Sequence, residues 1–202
     1  MYRGIAISGK IASGKTTLAR ALAADYGIPV IPLAYCLKAD IAEALSEAGL
    51  AHEKDLIVPD LKPHMRGLLQ DWGLLFRNLN GEDYWVQRLF SYAKSQKTPN
   101  FIVDDMRFRN EFHGLQRRGF LTIRLDIGGP TQEKRLKELY PDTPMSQLQH
   151  ASETDLDNMT GLFDIYVSPD QVRQSKTVSY VQRRLQHYDL AFSPGILNPA
   201  SN

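Results

Sequence analysis

A chain of 202 residues can bury roughly 70% of its unfolded surface in one α/β domain, so no covalent staple is required for folding. Its formal charge of +1 gives no global attraction to nucleic acid or an anionic membrane, and its single cysteine, Cys36, excludes an internal disulfide framework. No apolar run approaches the roughly 20 residues of a membrane span, and Met1-Tyr2-Arg3 leads straight into an apolar strand without a signal peptide, so a cytoplasmic protein is expected.

The first predicted element is a strand over 4–8, where Ile5 and Ile7 give a short apolar run. It leads into Gly9-Lys10-Ile11-Ala12-Ser13-Gly14-Lys15-Thr16, a complete Walker A loop, and then into a helix over 16–26 with Leu18, Leu22 and alanines at helical spacing. That order of strand, loop and helix is the context the motif needs. The glycines let the backbone turn its N–H groups inward around a phosphate chain. Lys15 reaches the β and γ phosphates, and the Thr16 hydroxyl ligates Mg²⁺. The residues expected to hold a nucleoside triphosphate are Gly9, Lys10, Ala12, Ser13, Gly14, Lys15, Thr16 and Thr17.

Ile28-Pro-Val-Ile-Pro32 is apolar and extended, but its two prolines suit the edge or end of a sheet. Helical patterns follow over 37–48, 63–79 and 83–95, with a loop over 49–60. Further strands are expected at 101–104, 120–125 and 163–167, separated by helices over 110–118, 131–139 and 175–188. Strand alternating with helix implies an α/β three-layer fold with a parallel, five-stranded sheet flanked by helices. One domain over 1–190 is expected, with a helical insertion at about 35–98, a lid region at about 127–155 and an irregular tail over 191–202. The ligand belongs beyond the carboxyl ends of the strands, where the glycine loop and Asp104-Asp105 both fall.

An acid at a strand end orients the Mg²⁺ shell in a phosphate-loop enzyme, and spacing alone does not choose between Asp104 and Asp105. The sequel Met106-Arg107-Phe108-Arg109-Asn110-Glu111 suits phosphate clamping. On the 63–79 helix, Arg66, Gln70, Gly73 and Arg77 stand four, three and four apart and share one face, where arginine forks can grip a monophosphate and Gln70 a base or sugar. The alternative is an ordinary solvated stripe, and Lys38 stands in the same position. Arg124, Lys134, Arg135 and Lys137 offer a mobile cationic cover, and an ordinary surface helix explains the last three equally well. Trp72, Tyr84 and Trp85 read as core or pocket wall, or as a surface for stacking a substrate base. The five histidines lack metal-ligand spacing.

Ile7-Ser-Gly-Lys-Ile-Ala-Ser-Gly-Lys-Thr16, Arg66-Gly-Leu-Leu-Gln-Asp-Trp-Gly73 with Arg77, Asp83-Tyr-Trp-Val86, Asp105-Met-Arg-Phe-Arg-Asn-Glu111 and His150-Ala-Ser-Glu153 together span most of the chain. In combination they resemble the deoxynucleoside monophosphate kinases of bacteriophages, a branch of the P-loop kinases. The resemblance implies transfer of the ATP γ-phosphoryl group to the 5′-phosphate of a deoxynucleotide, with ATP and Mg²⁺ as cofactors and, for a phage protein, the host cytoplasm as its location. It puts Asp105 in the strand-end acid position beside Thr16 as a metal residue. Lys15, Asp105 and Arg107 are then catalytic. Lys38, Arg66, Gln70, Arg77, Trp85, Arg107, Glu111 and Glu153 face the acceptor. The partner is the deoxynucleoside monophosphate, with no stable nucleic-acid partner and no membrane, and a homodimer is compatible. Two other readings stay open: a kinase of another acceptor, such as a hydroxymethylated pyrimidine in DNA, and a nucleotide-gated switch binding ATP or GTP, although no Asn-Lys-x-Asp guanine-reading string occurs.

Overall fold

Every residue of strand β1 (Gly4–Gly9) is buried, as is every residue of β3 (Phe120–Leu125), the burial expected of parallel strands covered by helices on both faces. The computed structural model describes residues 1–49, 62–139, 151–169 and 176–193. It contains two compact units, residues 1–31 with 99–202, and residues 32–98. Among the described residues no helix is long and apolar enough to cross a membrane.

The first unit holds a four-stranded parallel sheet in the order β2-β1-β3-β4, where β2 is Phe101–Met106 and β4 is Ile165–Val167. Helices α1 (Lys15–Tyr26), α5 (Arg109–Gln116), α6 (Gly129–Leu139), the single turn α7 (Ala151–Thr154) and α8 (Thr177–Leu185) connect and cover it, with a 3₁₀ segment at Asp157–Leu162. Ile5, Ile7, Leu18, Leu22, Ile123, Val181 and Leu185 belong to one continuous apolar core. Each such buried side chain contributes about 1.5–3 kcal/mol relative to exposure.

The expected fifth strand over 28–32 is reduced to a single parallel bridge between Val30 and Ile102. Ile102 N–H donates to Pro29 O at 2.9 Å and Ile31 N–H donates to Ile102 O at 2.8 Å. On its amino side the ladder stops there because Pro29 has no N–H to donate to β2. The irregular tail also begins later than its composition suggests. Tyr2 N–H donates to Asp189 O at 2.6 Å, Ala191 N–H donates to Tyr2 O at 2.7 Å, and the Phe192 ring meets Tyr26 edge-on at 5.3 Å. Ala191 and Phe192 are thus part of the fold, and residues 194–202 lie outside the described residues, as do most of the 49–60 loop and residues 140–150 of the lid region.

The second unit consists of α2 (Ala34–Glu47), α3 (Lys62–Asn80) and α4 (Tyr84–Ser95). Its core combines Ile41, Val86 and Leu89 with Trp85, and a cluster of half-buried aromatics packs beside it. Phe76 lies 5.5 Å from Trp72 and 5.9 Å from Trp85, and the Trp85 indole N–H donates to Gly73 O at 3.0 Å. A β-carbon on Gly73 would sit 3.6 Å from Leu37 and 3.9 Å from Trp85. The face that carries Gln70, Gly73 and Arg77 is therefore packed at its centre rather than solvated along its length.

Candidate nucleotide site

The loop between β1 and α1 has the conformation that its glycines allow. Gly9 has φ 154° and a β-carbon there would lie 2.5 Å from Leu125 O and 2.6 Å from Ser13 Oγ, so no larger residue fits. Gly14, with φ 95°, precedes α1 and has nothing within 4 Å of the space its β-carbon would fill. That open space lies at the amino end of a 12-residue helix with no acidic residue in its first turn, where backbone N–H groups and the helix dipole favour an anion. Ala12 also has positive φ, at 64°.

Side chains from α6 hold the outer arch of the loop. Gln132 Nε2 donates to Ile11 O at 3.2 Å, and Arg135 Nη1 donates to Ala12 O at 3.1 Å. With the Ile11 carbonyl turned outward, the Ala12 N–H points to the inside of the arch, because the two groups point in opposite directions across a trans peptide, while Ser13 N–H donates to Lys10 O at 3.2 Å. Ser13 Oγ is buried inside the loop without a hydrogen-bond partner. Lys15 is buried as well, and its Nζ donates to Gly9 O at 2.6 Å and Lys10 O at 2.8 Å. Burial pushes its pKa down to about 7, with the Arg107 charge acting in the same direction, while Glu153 and Asp104 offset part of the shift. The loop thus holds a cation whose charge is poorly compensated until an anion arrives. An orphan hydroxyl, an under-compensated lysine and an open helix end all fit a polyphosphate.

Two carboxylates stand opposite the loop. Thr16 Oγ1 donates to Asp104 Oδ2 at 3.0 Å, so Asp104 takes the position beside Thr16 that the resemblance gave to Asp105. The reason is a bulge. Between the pairings Ala6 with Val103 and Ser8 with Met106, β2 advances one residue more than β1. The alternation of side chains is lost at that point, and Asp104 and Asp105 both line the same cavity. That cavity, of about 300 Å³, is also lined by Arg107, Arg135, Leu139, Thr177 and Val178. Thr16 and Asp104 fit a hard divalent cation, being oxygen donors side by side at the mouth of the phosphate loop.

Glu111 and Glu153, both assigned to the acceptor from the resemblance, are spent on protein groups. Glu111 is buried, and its Oε2 accepts from Arg107 N–H at 2.7 Å and Phe108 N–H at 3.0 Å, capping α5 and fixing the Arg107 backbone. Glu153 accepts from Ile11 N–H at 2.7 Å through Oε2 and pairs with Arg107 through Oε1. It is the first of three acids along one segment. Asp155 accepts from Arg109 N–H at 2.8 Å. Asp157 pairs with Lys10 Nζ at 2.9 Å and Arg124 Nη2 at 2.6 Å, and Arg124 in turn donates to Ser8 Oγ at 2.9 Å. Sequence reasoning missed Gln132, Asp155 and Asp157. The alternating Glu153, Asp155 and Asp157 was the available signal, but it reads as a solvated acidic stretch until its partners are known.

The cationic cover dissolves into separate roles. Arg124 is buried under the sheet's end, Arg135 lies on the loop and lines the cavity, and Lys137 pairs on the surface with Glu133 at 2.9 Å. Among the acceptor candidates of the second unit, Gln70 is exposed, Lys38 and Arg77 are half-buried, and the Arg66 side chain lies outside the described residues. Trp85 is 3% exposed and serves that unit's packing rather than offering a stacking face.

No protein-family model and no curated protein matches the chain. Solved structures do. TT1252 from Thermus thermophilus superposes with a TM-score of 0.56 at 19% identity, covering 91% of this chain and 98% of that one. A shikimate kinase from Aquifex aeolicus vf5 gives 0.48 at 16% identity, covering 91% and 96%, and a sugar kinase from Janibacter sp. HTCC2649 gives 0.46 at 13%, covering 92% and 95%. The likeness is one of fold, an α/β chain with a parallel sheet flanked by helices, and this chain places a Walker A loop between the first strand and first helix of that fold.

Proposed function

We propose that the protein is a P-loop kinase that transfers the γ-phosphoryl group of ATP to the 5′-phosphate of a deoxynucleoside monophosphate. The observation that carries this reading is the convergence of Lys15, the Thr16–Asp104 pair and Arg107 on one cavity. Phosphoryl transfer asks a protein mainly for alignment and for neutralisation of charge on the moving group, and these residues supply both. Loop N–H groups hold the phosphate chain. Lys15 leaves the carbonyls of Gly9 and Lys10 for the β and γ oxygens. Thr16 and Asp104 would hold Mg²⁺, which would supply positive charge against the negative charge developing on the phosphate oxygens. Arg107, which lines the same cavity, faces the transferring group and the acceptor phosphate.

The choice of acceptor rests on the resemblance over residues 66–77, 83–86 and 105–111. A monophosphate oxygen is already nucleophilic at neutral pH and needs no general base. A hydroxyl acceptor is the second reading, favoured by one observation: the bulge brings a second carboxylate, Asp105, to the same cavity, where it is suited to accept a hydroxyl proton. A coupled ADP-release assay over the four deoxynucleoside monophosphates, their ribose counterparts and hydroxymethylated pyrimidines, free and in duplex DNA, separates the two. ADP released on addition of a deoxynucleoside monophosphate supports the first reading. Turnover confined to hydroxyl acceptors supports the second, and no turnover with any acceptor removes both.

A further inference from the structure

Glu153 sits where a carboxylate is costly unless it is used. Its side chain is 8% exposed and lies close enough to Lys15 to raise that lysine's pKa, in a site otherwise arranged to attract anions. Its two oxygens divide between two parts of the site, one accepting from the Ile11 amide on the phosphate loop, the other pairing with the Arg107 guanidinium. The Ile11 carbonyl is held from the other side by Gln132. The loop's arch and the guanidinium are thereby fixed to the same carboxyl group, although Ile11 and Arg107 stand on different strand ends.

We infer that Glu153 is a positioning residue that aims Arg107 at the transferring phosphoryl group, and is not itself a ligand of the acceptor. The inference rests on the reading that Arg107 meets that group. A long arginine side chain loses much rotamer freedom on ordering, and a paired carboxylate fixed to the loop supplies that order before substrate binds. Glu153→Gln isolates the effect. The amide oxygen still accepts from Ile11 N–H, whereas the NH₂ group turned toward Arg107 has no lone pair for it.

The test combines kinetics with a direct view of the guanidinium. In Glu153→Gln, kcat is expected to fall about tenfold or more. The ATP dissociation constant is expected to change by less than about threefold, because the loss of a repulsive charge and the loss of an ordered cation act in opposite directions. In an Arg107→Ala background the same substitution is expected to leave kcat unchanged. An unchanged kcat in the single variant, or an equal fall in both backgrounds, overturns the inference. In ¹⁵N-arginine-labelled protein, a guanidinium resonance absent from Arg107→Ala is expected to shift with ATP in the native protein and to lose its exchange protection in Glu153→Gln. A resonance equally protected in Glu153→Gln overturns the inference without reference to turnover. Failure of the kinase reading appears elsewhere, as native protein that phosphorylates no acceptor, and the resonance measurement still decides the role of Glu153.

Discussion

Between Gly9 and Thr16 the chain presents backbone amides, a helix end and one buried lysine, a set suited to an anion, whereas between Glu153 and Asp157 it presents carboxylates spaced two residues apart that pair with cations. The first segment works through its own backbone, and its neighbours in sequence are its neighbours in space. The second works only through residues far along the chain: Glu153 reaches Ile11 and Arg107, Asp155 reaches Arg109, and Asp157 reaches Lys10 and Arg124. A contiguous anion site can be written as a motif. A strap that braces it cannot, because its meaning lies in partners that folding brings up.

The sharpest way to break this division of labour is Lys15→Ala. It removes the one cation inside the loop, and a fall in kcat of about 10³-fold is expected, of the order seen on losing a preorganised charge-stabilising donor. Full turnover in a coupled ADP assay would exclude the loop as the reacting centre. Next in size is the choice between adjacent acids. Asp104→Asn is expected to raise the Mg²⁺ concentration for half-maximal activity about 10- to 100-fold, with Asp105→Asn doing less, because it is Asp104 that accepts the hydrogen bond of the Thr16 hydroxyl. A Mg²⁺ titration giving the opposite order would return the metal to Asp105.

Asp157→Ala tests the strap's structural side. It leaves Arg124, 4% exposed, without its carboxylate partner. A loss of about 2 kcal/mol in urea denaturation is expected, below the 3–5 kcal/mol of a fully buried pair because Asp157 is partly solvated. No change in midpoint would show that the strap carries no stability.

The smallest effect expected is on pH. Free Lys15 titrates at about 7, and phosphate oxygens supply the counter-charge that burial withholds, so its pKa rises on binding. The bound state therefore holds more protons than the free state from about pH 7 up to the bound pKa, and ATP affinity falls as pH rises through that window. Calorimetry with EDTA present, in two buffers of different ionisation enthalpy at about pH 8.5, is expected to show proton uptake. Affinity flat across the window would mean that Lys15 stays charged in the empty loop.

The sequence by itself determined the strand, loop and helix at the amino end, the parallel sheet and the position of the acids at a strand end. These follow from local patterns, namely apolar runs of strand length, glycines where φ must be positive and helical spacing in Leu18 and Leu22. Tertiary structure decided which aspartate faces Thr16, because a one-residue bulge on β2 is invisible to an alternation count. It decided that a proline-bracketed strand shrinks to one bridge, that Trp85 is core, and that Glu111 and Glu153 hold Arg107 and the loop. The physical reason is common to all of these. A buried charge or a ladder hydrogen bond takes its meaning from its partner, and a partner distant in sequence is chosen only when the chain folds.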